Sequence, residues 1–364
     1  MPQDYDNKLQ SLIAAGTAPD VFKTSATPYP SLVKNGALRD ITANIAQDRL
    51  IGTPDYFIEP FERNRSTVAG KWYGIGSCAQ FGVLYYNADV LQGAGVTPPS
   101  SDPTKAWTWD QFVQAGAQLT KRQGDQVTQW GVYYPTGDWL YAALSNGGRD
   151  VDPATGKYVL DQPATVEAIQ AVADLALKSR VAPDAAAFKA AGGDAWKMLA
   201  AGKVGMIMDG NWALLDLAKL NFKLGVAVLP KLKQPATLMQ SSLTGINSKT
   251  THNDEAWQFF QYLNLDAYQI QLVKVGLYGV SHTDLLTTDG VKKWLTPGVH
   301  PEGWSQLETD FKVKDGLAQT VPLGATKASA AISAALAPVW TGKTTAHDAC
   351  ATATAQANAI LAQI

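Results

Sequence analysis

The chain has 364 residues, 46% of them hydrophobic and only 17% charged, with a formal net charge of −2. That length exceeds one ordinary core and points to two domains or lobes. The charge balance excludes a protein held to nucleic acid by phosphate contacts, and two cysteines exclude a disulfide scaffold.

Asp4 is placed to cap a helix whose Tyr5, Leu9, Leu12 and Ile13 share one face, and Gly16 stops it. Val21-Phe22 reads as a very short buried strand, and a short helix over 31–38 ends near Gly36. Residues 71–75 and 82–86 read as strands, the second nearly all apolar and therefore buried on both faces. Thr108 caps a helix over 109–119, and a strand follows over 130–134. Pro163 opens a helix with Val166, Ile169, Val172 and Leu175 at helical spacing. Asp194 caps a helix over 195–201, and strands follow over 204–208, 224–229 and 243–247. Asn253 or Asp254 caps a helix carrying Ala256, Trp257, Phe260 and Leu263, with another over 267–275. The Ala/Thr-rich C-terminal stretch reads as helix broken near Pro338 and Gly342. Strands alternating with helices of about 10–15 residues predict α/β layers with largely parallel sheets.

Few motifs offer chemistry. No segment approaches the roughly 20 unbroken apolar residues of a membrane helix, and the opening residues carry no apolar signal core. No glycine-rich phosphate loop, GxSxG or HExxH pattern is present. His252, His282, His300 and His347 never pair at i, i+4, and catalysis by them is not expected. The carboxylates Glu59 and Glu62, and Asp150 and Asp152, read as solvated loop charges rather than a glycosidase pair. Cys78 and Cys350 lack cationic neighbours and read as unpaired, inert thiols, with a bridge between them as the alternative. Tyr85-Tyr86 and Tyr133-Tyr134 are adjacent phenols that could ligate a ferric ion, but both pairs lie in strands, which favours core packing. No metal or cofactor is expected.

Aromatic residues in turns say more. Trp139 follows Gly137-Asp138, Trp212 follows Asp209-Gly210-Asn211, and Tyr278 stands between Leu277 and Gly279 after a helix. Each falls at the end of a strand or helix, where α/β proteins place ligands. A ring face there stacks on the C–H face of a sugar, and nearby Asp, Asn and Gln hold its hydroxyls. Packing in the core is the ordinary use of tryptophan, and Trp107, Trp109, Trp196, Trp257 and Trp340 are read that way.

An ordered set of segments carries a resemblance. It runs from Tyr5-Asp6-Asn7-Lys8-Leu9 and Pro19-Asp20-Val21-Phe22, through Asn35-Gly36-Ala37-Leu38-Arg39-Asp40-Ile41 and Leu84-Tyr85-Tyr86-Asn87-Ala88-Asp89, to Thr108-Trp109-Asp110-Gln111-Phe112. It continues in Ala201-Gly202-Lys203-Val204-Gly205-Met206 with Asp209-Gly210-Asn211-Trp212, in residues 222–230 and in residues 252–260. Together these resemble the extracellular solute-binding proteins of bacterial ABC transporters, in their carbohydrate-binding, maltose-binding-protein-like branch.

The resemblance implies an α/β two-lobe clamp with three crossovers, near Phe81–Val83, Ser241–Gly245 and Ala318–Gly324. Residues 1–82 and 243–318 would form the first lobe; residues 83–242, with C-terminal helices over 319–364, would form the second. It implies a non-enzymatic, monomeric subunit, periplasmic or lipid-anchored outside the cell. Such a subunit captures a sugar or oligosaccharide and delivers it to a membrane permease. A ferric-ion or polyamine carrier of the same fold is the alternative, and a cleft glycosidase a more distant one. By position, the resemblance assigns ligand contact to Thr24, Ser25, Gln80, Asp138, Trp139, Asp209, Asn211, Trp212, Gln240, Ser241, Ser242 and Tyr278. Asn211 stands where the family has Pro, Gln240 to Ser242 replace more usual glycines, and Val280 replaces a Pro. The family's usual first strand and helix, and a secretion signal, are expected to be missing ahead of Tyr5.

Overall fold

A computed structural model of the chain describes residues 4–53, 56–58 and 61–364. Its architecture is the mixed α/β, two-lobe one that the resemblance implies, organised by two sheets that gather strands from distant parts of the chain. The smaller sheet holds Val21–Thr24, Leu243–Ile246 and Gly74–Gly76 in that order. The larger holds Lys121–Gln123, Gln126–Tyr133, Val204–Gly210, Gly82–Asn87 and Leu224–Ala227.

The expectation of largely parallel sheets is wrong. Only Gln126–Tyr133 and Val204–Gly210 run parallel within these two sheets; every other pairing is antiparallel. Helix–strand alternation implies parallel strands only where successive strands are neighbours joined by a crossover helix. Here Gly82–Asn87 lies between Val204–Gly210 and Leu224–Ala227, far along the chain, so its direction is set by where the chain re-enters the sheet.

Between the sheets three chain segments run side by side. Gln80 and Gln240 exchange two main-chain hydrogen bonds of 2.8 Å. Thr237–Met239 pairs in parallel with Gly316–Ala318. The Thr237 hydroxyl donates to the Gly82 carbonyl and accepts from the Gly82 N–H, each at 3.0 Å.

Local sequence explains the helices that flank the sheets. Trp109–Leu119 begins with a capping box: Thr108 accepts from Gln111 N–H, and the Gln111 side chain accepts from Thr108 N–H. Its Trp109, Phe112, Ala115, Gly116 and Leu119 are buried. Tyr5–Ala15 ends on Gly16 in the left-handed region, as the sequence suggests, but Asp4 makes no side-chain cap. In the tail, Ala325–Leu336 and Ala346–Leu361 pack together on a near-continuous alanine face. Asn358 binds Tyr158 main chain in both directions at 2.9 Å, which docks the tail beside Pro163–Leu177. No helix among the described residues is long and apolar enough to cross a membrane.

Several loop residues are less exposed than their sequence suggests. Glu62 has no accessible surface; its carboxylate accepts from Arg65, from the Ser66 hydroxyl and from Gly76 N–H. It is therefore not a solvated charge, and Glu59 lies outside the described residues. Asp150 accepts from Gln319 at 3.2 Å, and burial raises its carboxyl above the usual range. Cys78 and Cys350 are free and buried, with both thiols pushed up by desolvation, Cys350 to about 12.

Candidate functional site

Beside the crossing segments, three loops converge. The first is 79–81, where Ala79 exchanges main-chain bonds of 2.9 and 2.8 Å with Gly279. The second is 276–279, in which Tyr278 holds a positive φ of 64° and stands next to Gln80. A non-glycine residue in that region is strained, and such strain persists where surrounding contacts impose it. The third is 209–214, tied to the first by the Asn211 amide and packed by Leu214 against Gly276.

Trp212 sits on the third loop. Of the eleven tryptophans it alone is exposed, at 38%. Its indole lies beside Asp209, whose carboxylate accepts from Gly210 N–H at 2.7 Å. Desolvation pushes the Asp209 carboxyl up to about 7, and the fields of Asp138 and Asp194 add to the rise. Desolvation pushes Asp138 up to about 6. Two carboxylates crowded by protein and by each other resist ionisation. Beside them Tyr133 stacks on Phe188 at 4.3 Å with planes 3° apart, and Tyr133 feels the charges of Asp138, Asp209 and Asp194.

The structure thus brings Asp138, Asp209 and Trp212 together, next to the loops of Gln80 and Tyr278. The other expected ligand residues have surroundings of their own. Asn211 is fully buried and both ends of its amide are occupied by Ala79 and Phe81 main chain, so its part is structural. Thr24 is 1% exposed and bonds Asp6, which also receives the Ser25 hydroxyl. The Ser241 hydroxyl donates to the Ser242 carbonyl at 3.0 Å, and both serines are buried. Gln240 donates to the Tyr141 hydroxyl at 3.3 Å and, with Ser241 and Arg65, lines a separate hollow of about 460 Å³. Trp139 belongs to the large core and edges another hollow of about 170 Å³ with Thr27 and Gln319. Among the described residues no cluster of three or more metal-ligating side chains occurs.

Sequence reasoning missed Asp194, Phe188 and Tyr133 as neighbours of the site. Tyr133 was visible only as half of a tyrosine pair assigned to the core, and Phe188 carries no local signal.

Comparison with known proteins decides the family. The description "bacterial extracellular solute-binding protein" matches residues 2–297. The chain belongs to the bacterial extracellular solute-binding proteins. An arabinooligosaccharide-binding protein of Halalkalibacterium halodurans is 29% identical to this solute-binding protein over 175 residues, 48% of this chain and 36% of the relative. A maltotriose-binding protein of Pyrococcus abyssi is 22% identical over 75% of this chain and 57% of its own length. The matched stretches thus span less than two thirds of these relatives. Among solved structures, an ABC substrate-binding protein of Listeria monocytogenes in complex with cycloalternan superposes with TM-score 0.87 at 22% identity. It covers 99% of this chain and 89% of that one. Maltose-bound MalE3 of T. maritima superposes with TM-score 0.80 at 21% identity, over 98% and 88%. These likenesses establish the two-lobe fold of this solute-binding protein, and membership of the family places it in the periplasm or outside the cell.

Proposed function

We propose that this protein is the substrate-binding component of an ABC importer and captures a sugar or short oligosaccharide between its lobes. The observation that carries the reading is Trp212: an exposed indole beside Asp209, in a chain whose other tryptophans are buried or half-buried. The indole covers the apolar face of a sugar ring, and Asp209, Asp138 and Gln80 take its hydroxyls. Contacts from both lobes favour the closed arrangement by population shift, and that form meets the permease. The reading includes a monomer with no catalytic step, and lobes divided as residues 1–82 with 243–318 and 83–242 with 319–364. The sheet memberships support that division for the strands, while Trp294, Trp304, Leu307 and Phe311 pack into the core of the second lobe, Trp304 against Tyr85. Names of relatives that bind arabinooligosaccharide and maltotriose support a carbohydrate ligand.

The test is calorimetry over a panel of mono- and oligosaccharides, preceded by a thermal-shift screen in which a binder raises the melting temperature. Trp212→Ala should weaken the best sugar by more than about tenfold, or about 1.4 kcal/mol, with the melting temperature of the free protein retained. Binding of no sugar, or unchanged affinity in the variant, would overturn the reading.

A further inference from the structure

The register of the larger sheet sets Gly82 opposite Gly210, and directly opposed positions of an antiparallel pair share one face. Both are occupied in an unusual way. A Cβ built on Gly210 would lie 2.1, 2.2 and 2.3 Å from Cη2, Cζ3 and Cζ2 of Trp212. Three nearly equal distances put that point over the face of the six-membered ring, not at its edge. A Cβ on Gly82 would lie 2.5 Å from Cε1 of Tyr141. The two glycines therefore leave a bare strip of main chain on which two aromatic rings rest. Tyr141 is anchored beyond the strip by Gln240, and the Gly210 carbonyl accepts from the Tyr85 hydroxyl at 3.3 Å, which fixes the strip from the strand beside it.

We propose that Gly210 is the positioning residue of the Trp212 platform. The missing side chain lets the indole lie flat on the end of the Val204–Gly210 strand, with one face covered and the other turned outward at a fixed height beside Asp209. A sugar ring then meets an aromatic surface that needs no ordering on binding, which removes part of the entropy cost of association. Any Cβ at this position lifts or tilts the indole. The inference rests on Trp212 being the sugar-stacking residue.

The experiment is a double-mutant cycle read by calorimetry with the best sugar of the panel, using Gly210→Ala, Trp212→Phe and Trp212→Ala. Gly210→Ala should lower affinity at least about tenfold in the wild-type background and less than about twofold when Trp212 is already Ala. Gly210→Ala with Trp212→Phe should bind more tightly than Gly210→Ala alone, because phenylalanine lacks the outer ring atoms that the new Cβ meets. Iodide quenching of Trp212, isolated by difference against Trp212→Phe, should rise in Gly210→Ala. Wild-type affinity in Gly210→Ala, or an equal loss in both backgrounds, overturns the inference while leaving the sugar site intact. If Trp212→Ala itself binds like wild type, it is the functional reading that fails. Should Gly210→Ala not fold alone, restored folding in the pair with Trp212→Phe supports the steric relation, and failure of that pair overturns it.

Discussion

Asn211 donates its side-chain amide to the Ala79 carbonyl at 3.0 Å and accepts from Phe81 N–H at 3.3 Å. The loop that presents Trp212 is thereby fixed to the first crossing segment by a residue with no accessible surface. Asn211→Ala removes both partners of buried main-chain groups. It should cost about 2–3 kcal/mol of stability, the scale of leaving such groups unsatisfied. Urea unfolding of the free protein measures this; a loss under about 0.5 kcal/mol would show that the bonds carry little.

Asp138 and Asp209 give stability a definite dependence on pH. Their carboxyls are raised to about 6 and about 7 in the folded chain, above the ordinary value of about 3.9. Below about pH 4 folded and unfolded chains are both protonated and neither residue costs stability. As pH rises towards 7 the unfolded chain ionises first, so stability falls, and the loss is complete above the folded values. Asp209→Asn should therefore gain stability relative to wild type at pH 8 and differ least at pH 4, as read from urea midpoints. Sugar binding should run the other way. Ionised carboxylates accept hydroxyls better, so affinity should rise from pH 5 to pH 8, with proton release on binding.

Glu308 and Lys312 form an ion pair with no accessible surface, inside a helical stretch whose Leu307–Phe311 turn is π-helical. Lys312 also donates to the Val280 carbonyl. Desolvation lowers the Lys312 ammonium and raises the Glu308 carboxyl, so each charge depends on the other. Lys312→Met strands a buried carboxylate and should cost about 3–5 kcal/mol. Adding Glu308→Gln should return a large part of that. A thermal melt of the three variants checks the order; a double variant no better than Lys312→Met would refute it.

Thr108→Ala should cost about 1 kcal/mol, because it opens the capping box that starts Trp109–Leu119. Thr108→Ser should stay near wild type in the same denaturation assay.

Local features were legible in the sequence. Trp109–Leu119 begins and ends where Thr108 and the apolar spacing place it, and Gly16 stops its helix by the expected left-handed turn. Strand direction was not legible, since it depends on which distant segment lies alongside. Lys71–Trp72 and Gly74–Gly76 look like one strand in sequence but join different sheets. Asp209 and Trp212 could be marked because an aromatic and an acid flank a turn after a strand. Asn211 looked equally available, yet its amide is consumed by residues 130 and 132 positions away. Gly210 looked like part of a turn; only the ring lying over it shows what its missing side chain is for.

The crossing segments have a mechanical consequence. Residues 79–82, 237–240 and 316–318 are laced into one narrow ribbon by main-chain bonds and by the Thr237 hydroxyl. A ribbon of this kind yields readily across its thin dimension and resists shear between its strands. The two halves of the molecule should therefore hinge about this ribbon rather than slide past one another, and Trp212 should travel with that hinge at each closure.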